Sequence, residues 1–139
     1  MKYKINYKYL IIAYLAILLL LSILPLNSFT SRLDNIYILE LRLDYFLHIL
    51  FYLPLAYLLD KAGGFSFKMT VIIVLFLAFL MEGVQLILPY RAFNISDLLA
   101  NLTGGVLSIL IVLLIKRIKF KHRSIIAYQK VKKRNEIKN

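Results

Sequence analysis

The chain has 139 residues, 61% of them hydrophobic, and a formal net charge of +11. Soluble domains are about 45 to 50% apolar, so the sequence reads as a membrane protein; with about 20 residues per crossing it can hold no separate soluble catalytic domain. The lack of cysteine excludes disulfides, thiolate metal sites and cysteine nucleophiles, and two histidines exclude an all-histidine metal centre in one chain.

The first apolar run, residues 10–24, is entered through Lys2, Lys4 and Lys8 and ends at Pro25 and Asn27. A charged start and an apolar body also mark a signal peptide, but no small-x-small cleavage site follows, so an uncleaved helix over residues 9–26 is expected. The connector 27–43 carries Ile36, Ile38, Leu39, Leu41 and Leu43 among charges, as an interfacial segment does; its secondary structure is open. The second span, expected over 44–60, contains Pro54. Membrane helices tolerate proline when neighbours satisfy the freed carbonyl, so a kinked helix is expected. The third span, 68–88, closes at Pro89, and the fourth, 97–115, closes at Lys116 and Arg117, ahead of a basic tail over 116–139. The expectation is an all-α integral membrane protein, residues 1–139 forming a single domain built as a four-transmembrane-helix bundle.

Fifteen Lys and Arg precede the first span, fall in the loop 60–68 or follow Ile115; the other side has three, Arg32, Arg42 and Arg91. Positively charged loops stay in the cytoplasm, so both termini are expected to be cytoplasmic, with the connector 27–43 and the turn 89–97 outside. The basic tail is expected to fix this topology and to touch anionic lipid, at about 1 kcal/mol per basic residue near the surface. The basic residues do not mark out a folded polar face, so nucleic acid is not an expected partner.

An ionisable side chain inside a span costs at least about 2.5 kcal/mol near its centre and calls for a partner, a wet cavity or a task. The second span carries Asp44, His48 and Tyr52 at a spacing of four, the third carries Glu82 and Gln85, and the fourth carries Asp97 and Asn101. Residues three and four apart share a helix face. At about 1.5 Å per residue, the topology puts His48 about 6 Å below Asp44, Glu82 and Gln85 about 10 and 6 Å below Pro89, and Asn101 about 6 Å below Asp97. All reach one depth in the outer third of the membrane, with Arg91 above them. Each also has a purely structural role open to it. His48 can bond a carbonyl, Asn101 and Gln85 can fasten helices, and Asp97 can cap the helix that begins beside it. Ala100, Gly104 and Ser108 form a small-residue stripe for close packing. Glu82 is the least explained by packing, and needs His48 or Arg91 beside it, or a proton.

Asp44, His48 and Tyr52, then Glu82, Gln85, Pro89 and Arg91, then Asp97, Asn101 and Gly104 resemble the signature of VanZ-like membrane proteins over about 44–115. Two positions depart from it: Tyr45 stands where the family often has lysine, and Ser108 where a further small residue is usual. The family is named for a protein associated with resistance to the glycopeptide teicoplanin. The resemblance implies a multi-pass protein of the bacterial cytoplasmic (inner) membrane and says little about mechanism.

Three functions compete. The first is a site for an anionic lipid-linked envelope precursor or headgroup. Arg91 would hold phosphate, Asp44, Tyr52, Gln85, Asp97 and Asn101 would contact the bound group, and His48 and Glu82 would be acid and base if a reaction occurs. The second is an accessory subunit whose polar core sets helix register. The third is a small proton-coupled transporter, disfavoured because carriers place their sites near the bilayer midplane. A metal site would need His48, Glu82 and Asp97 together, and no tight motif such as His-Glu-x-x-His is present; no metal and no cofactor are expected. The expected partners are membrane lipids.

Overall fold

The computed structural model describes residues 6–24, 36–38, 41–90 and 93–138. Helix α1, Tyr7–Ile23, begins at Asn6, whose side chain accepts the Lys8 backbone N–H, the usual way an asparagine satisfies a helix start. In the connector, strands β1 (Tyr37–Ile38) and β2 (Leu41–Arg42) pair antiparallel, Tyr37 opposite Arg42 and Ile38 opposite Leu41. The fold is otherwise helical, and β2 runs straight into the next helix.

The expected kink at Pro54 is a break. Helix α2, Leu43–Tyr52, and helix α3, Leu55–Ala62, flank it, because proline has no N–H and its ring crowds the preceding turn. Leu53 N–H still reaches the Ile49 carbonyl and Leu58 N–H the Pro54 carbonyl. Two side chains from other helices serve the gap between: the Tyr14 hydroxyl of α1 donates to the Phe51 carbonyl, and Ser108 of the last helix bridges the two pieces. The Ser108 hydroxyl accepts the Ala56 N–H at 2.9 Å and donates to the Leu53 carbonyl at 2.5 Å. Ser108, expected only to pack, is fully buried and gives two backbone groups at the break the partners that backbone in an apolar setting requires.

Gly63 and Gly64, both at positive φ, turn the chain after α3, a conformation glycine adopts without steric cost. Helix α4, Phe67–Gln85, starts at Ser66, whose hydroxyl accepts the Met69 N–H. It stops three residues short of the expected 88. Leu86, Ile87 and Leu88 donate to carbonyls three residues back, the tightened geometry of a fraying helix end, and the residue before Pro89 disfavours helix. Helix α5, Ile95–Lys138, has 44 residues. It carries the expected fourth span and then continues as one helix through the basic tail.

Helix α5 is the spine, packed along α2, α3 and α4, while α1 lies against α3 and α4. Gly104 brings α5 onto α2: a Cβ there would lie 2.5 Å from the Ile49 carbonyl oxygen and 2.8 Å from Tyr52 Cβ. Leu55, Ala56, Val74 and Ala78 are wholly buried at the centre. Lys116 Nζ lies 2.5 Å from Asp60 Oδ1 and above the Phe67 ring, tying α5 to the α3–α4 turn. Outward, Phe76, Phe79, Leu99, Leu110 and Leu114 are exposed, far more apolar surface than a soluble monomer shows. Among the described residues, Leu43–Ala62, Phe67–Gln85 and α5 are long and apolar enough to cross a membrane; α1 is apolar but, at 17 residues, shorter.

Candidate functional site at the start of helix α5

The site is organised by the way α5 begins. Asn94 precedes its first residue, and its Oδ1 accepts the Ser96 N–H at 3.0 Å while its Nδ2 donates to Asp97 Oδ1 at 3.1 Å. Asn94 is therefore the cap, and Asp97, expected as the cap, occupies the third helical position. In a capping box the acidic residue at that position takes the backbone N–H of the cap. Here that N–H crosses to another helix, donating to Glu82 Oε1 of α4 at 2.9 Å. Glu82 is wholly buried. The start of α5 thus meets the last turns of α4, and the helix dipole favours carboxylates near such an end.

Helix α2 adds His48. Its Nδ1 lies 3.0 Å from Asn101 Oδ1 and its Nε2 lies 3.8 Å from Asp97 Oδ2. An amide oxygen only accepts, so with that carboxamide orientation Nδ1 carries a proton and Nε2 faces the Asp97 carboxylate. A ligand hydroxyl between Nε2 and Asp97 would find hydrogen-bond partners in both. The side chains of His48 and Asp97 keep 31% and 17% of their exposure, so this edge is reachable, whereas Asn101 and Glu82 form the buried back.

The sequence-derived residues separate into distinct places. His48, Asp97 and Asn101 meet directly, and Glu82 joins them through Asn94. Asp44 is buried in the first turn of α2 and Gln85 is buried at the end of α4. Tyr52 points elsewhere: it is buried and its hydroxyl donates to the Leu77 carbonyl at 3.2 Å. Arg91 lies outside the described residues. Asn94 was not among the expected site residues, although Asn94-Ile95-Ser96-Asp97 is legible as a capping pattern. No group of three or more His, Cys, Asp or Glu that could hold a metal ion occurs among the described residues.

A bundle of helices long and apolar enough to cross a membrane, with imidazole, carboxylate and carboxamide groups where three of them converge, defines a small helical membrane protein with a polar cluster. A family model, VanZ/LLP1, matches residues 10–116, and the chain belongs to that family. The match takes in α1, beyond the stretch that carried the resemblance. No curated protein and no solved structure matches the chain.

Proposed function

We propose that this VanZ/LLP1-family protein crosses the bacterial cytoplasmic membrane four times with both termini inside, and that its polar site binds an anionic lipid-linked envelope precursor or headgroup at the outer leaflet. The observation that carries this reading is the reachable His48–Asp97 edge backed by the buried Asn101 and Glu82. Carboxylates and carboxamides accept from or donate to sugar hydroxyls, and Arg91, in the adjoining turn, is suited to phosphate. If a reaction occurs, His48 is the reachable acid or base, and Glu82 is its deeper counterpart. The family's link to glycopeptide resistance agrees with an envelope role. The polar cluster gathers at one end of the helices, which fits lateral entry of a lipid better than transport through a midplane site.

The accessory reading is favoured by a different observation: Glu82 fastens α4 to the start of α5, as a purely structural group would. Native mass spectrometry of the full chain in nanodiscs, with a polyprenyl diphosphate-linked sugar as probe, separates the two. Adducts should form on the wild type and fall at least tenfold for His48→Ala. Equal adducts on both overturn the binding reading. Orientation is tested with Phe93→Cys and Phe65→Cys, both exposed positions in a cysteine-free chain. An impermeant thiol reagent on intact cells should label the first alone, and the reverse pattern overturns the proposed topology.

A further inference from the structure

The hydrogen bonds around the start of α5 run along a line that is interrupted where it meets the surface. At one end His48 Nδ1 lies 3.0 Å from Asn101 Oδ1. At the other, Asn94 Nδ2 donates to Asp97 Oδ1 at 3.1 Å and the Asn94 backbone N–H donates to Glu82 Oε1 at 2.9 Å. Between these stretches His48 Nε2 and Asp97 Oδ2 stand 3.8 Å apart, beyond hydrogen-bond length. Asn101 and Glu82 are buried, whereas the interruption falls on the reachable edge. Its chemistry follows from Asn101. A neutral imidazole that donates from Nδ1 to a carboxamide oxygen presents a lone pair at Nε2. The Asp97 carboxylate opposite is also an acceptor, with about four lone-pair sites, and so has capacity for a further donor beside the bonds it already makes.

Two acceptors at this separation are bridged by one atom that carries two donors and sits about 2.9 Å from each. Water can do this, and a ligand group that displaces a bridging water keeps affinity only when it reproduces both bonds. A hydroxyl finds a partner in either acceptor but, with one O–H, donates to one at a time. A primary amino group brings two N–H donors, or three when protonated, and a carboxamide nitrogen brings two. Charge decides between these. Among the described side chains at this end, Asp44, Glu82 and Asp97 stand with one imidazole, and nearby carboxylates favour a cation. We infer that the interruption between His48 and Asp97 is an amine subsite, which holds the primary amino group of a lipid headgroup. The inference rests on the binding reading above and names the group that the reachable edge selects.

The test is native mass spectrometry of the full chain in phosphatidylcholine nanodiscs, whose lipid has no N–H. Three probes share a polyprenyl diphosphate and differ at one position of the sugar: glucosamine, glucose and N-acetylglucosamine. Glucosamine adducts should exceed the other two at least tenfold. Asp97→Asn can turn an N–H of its own toward Nε2, and it should abolish that preference. Equal adducts with glucose or N-acetylglucosamine overturn the amine subsite and leave the binding reading standing, whereas no adduct with any probe overturns both. Added phosphatidylethanolamine identifies the carrier: displacement of the glucosamine adduct assigns the amine to a phospholipid, and persistence assigns it to a lipid-linked sugar. The imidazole gives a readout that does not depend on Asp97→Asn folding. The chain has two histidines, so His122→Gln on the exposed tail leaves His48 as the sole one. Its nitrogen-15 spectrum at pH 8 should show a proton on Nδ1 and none on Nε2, and the Nε2 resonance should move with the glucosamine probe and not with glucose. A proton on Nε2 in the ligand-free protein would set a donor against Asp97 and overturn the inference.

Discussion

Two places in this bundle bury polar groups among apolar helices, and they do so for different reasons. At the Pro54 break, one hydroxyl from Ser108 meets one orphan N–H and one carbonyl. Donor and acceptor are matched, and both partners are backbone. At the start of α5, Asn94 takes the Ser96 N–H and Glu82 takes the Asn94 N–H, yet His48, Asp97 and Asn101 are gathered beside them in excess of what the backbone demands. Burying ionisable groups in lipid is costly unless they are paired or used. A polar group that answers a backbone need is explained by the fold, and one that exceeds it asks for a ligand.

The strongest way to break this comparison is Gly104→Ala, which disturbs the packing both regions share. The added methyl would meet the Ile49 carbonyl and Tyr52 Cβ at clashing distances, so α2 must leave α5. We expect a loss of about 3 kcal/mol, the upper end of ordinary overpacking costs, read by denaturant unfolding in bicelles, and the His48–Asn101 hydrogen bond should break with it. Ser108→Ala strikes the break alone. It leaves the Ala56 N–H unsatisfied and should destabilise by about 1 to 2 kcal/mol while envelope-antibiotic susceptibility per folded molecule is unchanged. A silent Ser108→Ala would mean the break is satisfied some other way.

Asn94→Ala removes the cap and its bond to Asp97 but keeps the backbone N–H that reaches Glu82. A cap is worth about 1 kcal/mol, and hydrogen exchange should quicken in the first turn of α5 only. The smallest stability effect is expected from Glu82→Gln, because a glutamine oxygen can still accept from Asn94; interhelical hydrogen bonds in membranes average about 0.6 kcal/mol. This variant sharpens the comparison most. A site that needs the charge should lose its antibiotic phenotype at normal protein level, and full retention would place Glu82 with Ser108, as a fastener.

Spacing and period revealed the helices, the disturbance at Pro54 and the gathering of His48, Asp97 and Asn101, because each depends on which face of a helix a residue occupies. They could not reveal which neighbour a side chain meets. Tyr52 shares a face with His48, but the break after it and the approach of α4 carry its hydroxyl to Leu77. Ser108 looked like a spacer, since the groups it serves lie more than fifty residues away. Asn94 precedes a helix, where asparagine has many local uses, and its backbone bond to Glu82 depends on how α4 and α5 meet. The tail was legible as charge and not as helix, because ten basic residues say where a segment sits without saying what shape it takes.

The splice at Pro54 also bears on the order in which the protein is made. The Ser108 hydroxyl that bridges α2 and α3 belongs to a helix made after both of them. Until α5 arrives, Leu53 and Ala56 present an unsatisfied carbonyl and N–H, which lipid cannot accommodate cheaply. The break between α2 and α3 is therefore costly in an apolar setting until α5 packs against it. One serine thereby ties the fold of α2 and α3 to the packing of a helix made after them.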